Sequence, residues 1–227
     1  MKKLFSLFLA VIMIFAILPV SAFAAETDQQ GCEALINKAA TVFPEYAEKL
    51  LHPTRNSSYS TQAASPRVLV ADEVRPVSAT ESISLAEYSD GLILLSAYEA
   101  DDVDYIYEPV GPVPDPSLSV RKYTANITAT SVYNGYYGYG YIKGISYTIN
   151  TGVNVYDKIT NRGTVSKGSN CNHAAFVSSR TNESATGYAM LEYEFGFKIG
   201  PRSDQFISTE LVISVGEDSA VASHSVR

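Results

Sequence analysis

Three groups of side chains in this sequence are of kinds that do chemistry. Cys171 and His173 stand two residues apart. A thiolate nucleophile needs a base within hydrogen-bond reach and usually a third group to orient that base. Residues two apart on a strand share a side, so the pair would be neighbours, yet the sequence marks no orienting acid. A structural or disulfide role is the expectation. His52 and His224 complete no zinc spacing with them.

The second group is acidic: Asp101, Asp102, Asp104 and Glu108. Calcium takes six to eight hard oxygen ligands, but this spacing does not follow the twelve-residue loop pattern, and the glycine for its sharp turn is missing. The cluster reads as a solvated charge run, and no metal or cofactor is expected. The serine-hydrolase elbow, the paired-histidine metalloprotease helix and the lysine-bearing phosphate loop have no counterpart in the sequence.

The third group is aromatic. Eight of the chain's 16 tyrosines fall between Tyr123 and Tyr156, and the centre of that stretch is Asn134-Gly135, flanked by β formers. Asn-Gly between such runs marks a two-residue hairpin, because both central positions need positive φ. A turn that tight sets Tyr133 against Tyr136 and Val132 against Tyr137. Alternation then places Ala125, Ile127, Ala129 and Ser131 beside Gly138, Gly140, Ile142 and Gly144 on a small, flat face. The other face carries Thr124, Thr128 and Thr130 beside Tyr137, Tyr139, Tyr141 and Ile145. A flat face lets a second layer approach closely, and Thr opposite Tyr suits a half-exposed sheet. The small face is therefore expected inward. Tyr137, Tyr139, Tyr141, Thr128 and Thr130 are expected outward, as rings with polar tips for stacking on sugars or meeting a protein partner.

These groups need elements to hold them. From Gln30 to Leu51 apolar residues recur at helical spacing (Leu35, Ile36, Ala39, Phe43, Leu50), and Pro44 should divide the helix. Residues 54–66 are polar and turn-rich. Arg67 to Arg75, Ser82 to Tyr88 and Leu92 to Tyr98 read as strands, the last two joined at Asp90-Gly91. The helix packed on this meander makes a first unit over 25–108. Four prolines within 109–118 suggest a semi-rigid linker. A β-sandwich-like domain over 119–216 follows, with Asn161-Arg162-Gly163 as a turn, a strand from Cys171 to Ser179, and the clearest alternation at Leu191, Tyr193, Phe195 and Phe197. Ile207, Leu211, Ile213 and Val215 answer it, and 217–227 reads as a flexible tail. The expected fold class is α+β: an N-terminal helix on a small antiparallel meander, then an all-β sandwich-like domain.

Residues 1–24 read as a secretory signal peptide of bacterial type. Lys2 and Lys3 precede an apolar run from Leu4 to Leu18, and Ala22-Phe23-Ala24 fits the small-x-small cleavage pattern. No second apolar segment follows, so no membrane insertion is expected after cleavage. The full chain has a net charge of -7. Loss of the two leader lysines deepens the deficit, which argues against nucleic acid or anionic membrane as partner. Cys32 and Cys171 are open to one disulfide closing a very long loop, worth about 4 to 5 kcal/mol in the chain-entropy model, or to two reduced thiols. The sequence points to a secreted, cell-wall-associated or extracellular, non-catalytic protein whose β domain binds an envelope glycan or an extracellular protein. The alternatives are a secreted hydrolase with an unmarked carboxylate site and a secreted inhibitor or antagonistic factor.

Overall fold

The computed structural model describes residues 20–53, 67–106, 119–151, 156–217 and 219–227, with backbone alone at 20–28, 102–106, 119 and 151. The chain is mostly antiparallel β structure with a short N-terminal helical segment. Helix α1 (Val20–Val42) is followed by a 3₁₀ turn at Pro44–Tyr46 and a short α2 (Ala47–Leu51). Pro44 thus breaks the helix where its missing N–H and its ring require a break. Among the described residues the helix already includes Val20, ten residues before the expected Gln30, and its backbone runs unbroken past Ala24, the expected cleavage point.

Among the described residues ten strands follow: β1 (Leu69–Pro76), β2 (Glu81–Tyr88), β3 (Ile93–Ile106), β4 (Ser119–Tyr133), β5 (Tyr136–Thr151), β6 (Lys158–Lys167), β7 (Cys171–Arg180), β8 (Ala189–Lys198), β9 (Phe206–Gly216) and β10 (Ser219–Val226). They form two meanders, a six-stranded sheet ordered β1-β2-β3-β4-β5-β6 and a four-stranded sheet ordered β10-β9-β8-β7. The expected linker at 109–118 lies outside the described residues. The strands on either side of it belong to one sheet, since β3 pairs with β4 from Ile93↔Val132 to Ile106↔Val120. The sheets therefore do not divide where two units were expected to meet. The expected tail at 217–227 is largely β10, whose inward residues are the small Ala220 and Ala222 with His224 and Val226. Small residues carry little hydrophobic contrast, which is why the alternation there reads weakly.

The hairpin register is as the turn chemistry dictates, with Tyr133↔Tyr136 and Val132↔Tyr137, and Asn134 and Gly135 at φ 50 and 76. The small face meets the second sheet. Ala125, Ile127, Ala129 and Ile142 share one core cluster with Leu191, Tyr193, Phe195 and Phe197. A Cβ on Gly138 would come within 2.6 Å of Phe197 Cδ1, and one on Gly140 within 2.5 Å of Phe195 Cε1. The two rings stack 5.5 Å apart, pressed directly on glycine backbone that no larger residue would leave bare.

Two details depart from the expected pattern. Ile145 turns inward, because β5 carries an extra residue opposite Asn126: Ile127 pairs with Ile142 but Ala125 with Ile145. Gly144 sits in that bulge at φ 74 and donates its N–H to Asn126 Oδ1 at 3.1 Å. Beyond a bulge the alternation inverts, so Tyr147 and Ile149 also join the inner cluster. Asn161-Arg162-Gly163 is no turn but lies inside β6, with Gly163 at φ 72 against the same bulge.

Candidate functional site

The other face of β2 to β5 carries alternating side chains that need a cover, and the helices supply it. Ile83, Leu85, Ile93, Leu95, Val132 and Tyr139 form a second cluster with Cys32, Leu35, Ile36, Ala39, Phe43 and Leu50. Helix residues at i, i+3, i+4 and i+7 make one apolar stripe, and here that stripe lies across the tyrosine ladder. Arg75 pins the helix end to β1: its Nη1 donates to Val42 O at 2.9 Å, its guanidinium lies 4.5 Å from the centre of the Phe43 ring, and it pairs with Glu45 and Glu73.

This arrangement corrects the expected open tyrosine face. The structure places Tyr137, Tyr139, Tyr141, Thr128 and Thr130 on one side of β4 and β5, as alternation requires, but that side is covered. Tyr139 is 7% exposed and Thr130 fully buried. Tyr137, Tyr141 and Thr128 are half-buried. The covering is close: a Cβ on Gly31 of α1 would lie 2.7 Å from the Tyr139 hydroxyl. The ring and hydroxyl content that suits a wet sheet also suits a sheet under a helix, so composition alone does not separate them.

Where the helix overhangs the ladder, a cleft of about 540 Å³ opens. Its floor is Cys32, Ile36, Leu50 and Tyr137, and its rim is polar, with Glu33 and Asn37 from α1 and Asn170 from the turn between β6 and β7. The size falls within the range of small-molecule sites. Gln29, also on the rim, donates Nε2–H to Glu33 Oε1 at 3.1 Å. Asn170, at φ 51, donates Nδ2–H to Tyr137 O at 2.9 Å. The Tyr137 hydroxyl points to Leu50 O at 3.5 Å. Of the five binding residues read from sequence, Tyr137 lines the cleft. The helix and turn residues carry no sequence signal of their own, because they meet only through the tertiary fold.

Cys32 is chemically quiet. Burial pushes its thiol up to about 11, against an opposing contact from Thr130, so it stays protonated at neutral pH and is a poor nucleophile. Cys171 is likewise raised by burial to about 11, and its Sγ donates to His173 O at 2.9 Å. A bulge between Cys171 and His173 turns the two side chains to opposite sides, with Cys171 opposite Phe197 and His173 opposite Gly196. The expected same-side pair is therefore absent. Both cysteines are free, packed in different clusters, and not joined as the disulfide reading allowed.

The acidic run lies at the far end of β3, and the side chains of 102–106 with Glu108 fall outside the described residues. Among the described residues no group of three or more His, Cys, Asp or Glu could hold a metal ion, and no described helix is long and apolar enough to cross a membrane. Comparison of the chain with protein-family models, with curated proteins and with solved structures finds no match in any of the three.

Proposed function

We propose that this is a secreted, non-catalytic binding protein that holds an envelope glycan in the cleft between α1 and the Tyr137 end of the sheet. The observation that carries the reading is the cleft itself: a concavity of about 540 Å³ with an aromatic ring and aliphatic side chains in its floor and amide and carboxylate groups on its rim. Sugars present one apolar C–H face and a fringe of hydroxyls, which rings and planar polar side chains complement. The leader-like start of the chain supports export, and the core shared by the two sheets supports a β-sandwich with a helical layer on one outer face.

A paired-carboxylate hydrolase draws no support from this site. Its two reacting carboxyls flank one bond, and among the described lining residues Glu33 is the carboxylate. The test is retention of the secreted chain on purified cell wall, measured beside retention on culture-supernatant protein. Wall retention that falls when Tyr137 is replaced by alanine in a folded variant is the expected outcome. Equal passage through both matrices would end the reading.

A further inference from the structure

The charge around the cleft is one-sided, and that imbalance selects a ligand. Gln29 turns an amide N–H to Glu33, Asn170 turns one to the Tyr137 carbonyl, and the Tyr137 hydroxyl faces the Leu50 carbonyl. These three donors are engaged with the protein itself, but each amide keeps a second N–H, and Asn37 and Ser169 add further neutral groups to the lining that donate as well as accept. What sets the rim apart is the Glu33 carboxylate, its charged member, which has acceptor sites to spare. No lysine or arginine is among the described residues that line the cleft. Lys38 and Lys49, the nearby helix cations, are paired with Glu81 and Glu87 on β2. Among the described residues the rim thus carries one negative charge with no positive charge beside it, among neutral groups that both donate and accept. The chain as a whole is acidic, at -7, which raises the local concentration of cations rather than anions.

Resting on the glycan reading above, we propose that the cleft prefers a sugar with a free ammonium group over its N-acetylated or acidic counterparts. The ammonium faces Glu33, where three N–H donors meet the spare acceptors. The sugar's C–H face lies on Tyr137 and Ile36, the ring adding attraction for the nearby cation. An N-acetyl group would replace three charged donors by one neutral N–H and leave the Glu33 carboxylate without a counter-charge. A uronic acid would set carboxylate against carboxylate with no counter-charge to separate them.

The test is titration of the full secreted chain, followed by calorimetry or by shifts of tyrosine resonances, with three probes: the disaccharide of glucosamine, its di-N-acetylated form, and glucuronate. The glucosamine disaccharide should bind tightest, and added salt should weaken it. Glu33 is exposed, and an exposed charge pair is worth at most about 1 kcal/mol, so Glu33→Gln should weaken the amine by roughly two- to fivefold and leave the N-acetylated probe unchanged. Asn37→Arg, also at an exposed position, should abolish amine binding and raise the affinity for glucuronate. If the N-acetylated disaccharide binds as tightly as the amine, the ammonium preference is overturned while the glycan site stands. If no probe binds but cell wall still retains the chain, the cleft is not the recognition surface and the inference falls. If neither occurs, both readings fail together.

Discussion

His224 is held at both ring nitrogens inside the core, with Nδ1 3.1 Å from Leu95 O and Nε2 2.9 Å from Thr209 Oγ1. A carbonyl only accepts, so Nδ1 carries the hydrogen and the neutral ring bridges the two sheets. Burial lowers its pKa from 6.5 to about 4. Above pH 6.5 folded and unfolded chains both hold it neutral. As pH falls from 6.5 toward 4 the unfolded chain takes up a proton that the folded one refuses, and stability drops by about 3 kcal/mol over that window. Urea denaturation at a series of pH values should show this extra loss in the native chain and not in a His224→Gln variant; parallel profiles would refute it. Glycine makes a sharper case. Gly140→Ala forces Phe195 or the backbone to move and should cost about 1 to 3 kcal/mol by overpacking, seen as a lower denaturation midpoint. At Gly91 a Cβ would meet nothing within 4 Å, so Gly91→Ala isolates the other cause, the backbone strain of a side chain at φ 85.

At the scale of elements, the covering helix is what the sequence concealed. Its apolar spacing and its break at Pro44 follow from local chemistry, as does the Tyr133↔Tyr136 register from Asn134-Gly135. Which sheet face the helix chooses is a tertiary matter: Leu35 and Phe43 would pack on any apolar surface, and Thr130 and Tyr139 read equally well as wet or covered. The bulge at Gly144 was hidden for a similar reason, since its partner Asn126 lies 18 residues away on another strand. β10 was hidden by its alanines and serines. Phe43 is fully buried, so Phe43→Ala should cost about 3 to 5 kcal/mol. It should also loosen the helix selectively, so that amide exchange quickens along α1 and the Tyr139 region of β5 before it does in β8 and β9. Uniform quickening would mean that helix and sheet open as one unit.

At the scale of the whole molecule, the six-stranded sheet joins what composition divides. β3 and β4 pair along their length on either side of the proline-rich stretch, so a piece ending at residue 106 would expose one edge of β3 and lose Val132 and Tyr139 from its helix-side core. Such a piece, produced alone, should give the poorly dispersed amide spectrum of an unfolded or aggregated chain; a dispersed spectrum would support the two-unit organisation. The thiols offer a second check. With both cysteines free, gels run with and without reductant should match, and both thiols should react quickly only once the chain is unfolded.

Every hydrogen-bonded strand neighbour in both sheets is also a neighbour along the chain, and that ordering bears on how the molecule is born. A polypeptide emerging from its N-terminus can zip each new strand onto the last, with little loop entropy lost at any step. The first sheet is complete when residue 167 has appeared. Until the final 60 or so residues of this 227-residue chain arrive, the glycine floor at Gly138 and Gly140 stands bare to water. Nascent chains stalled at that length should be the most prone to clump or to recruit holding chaperones.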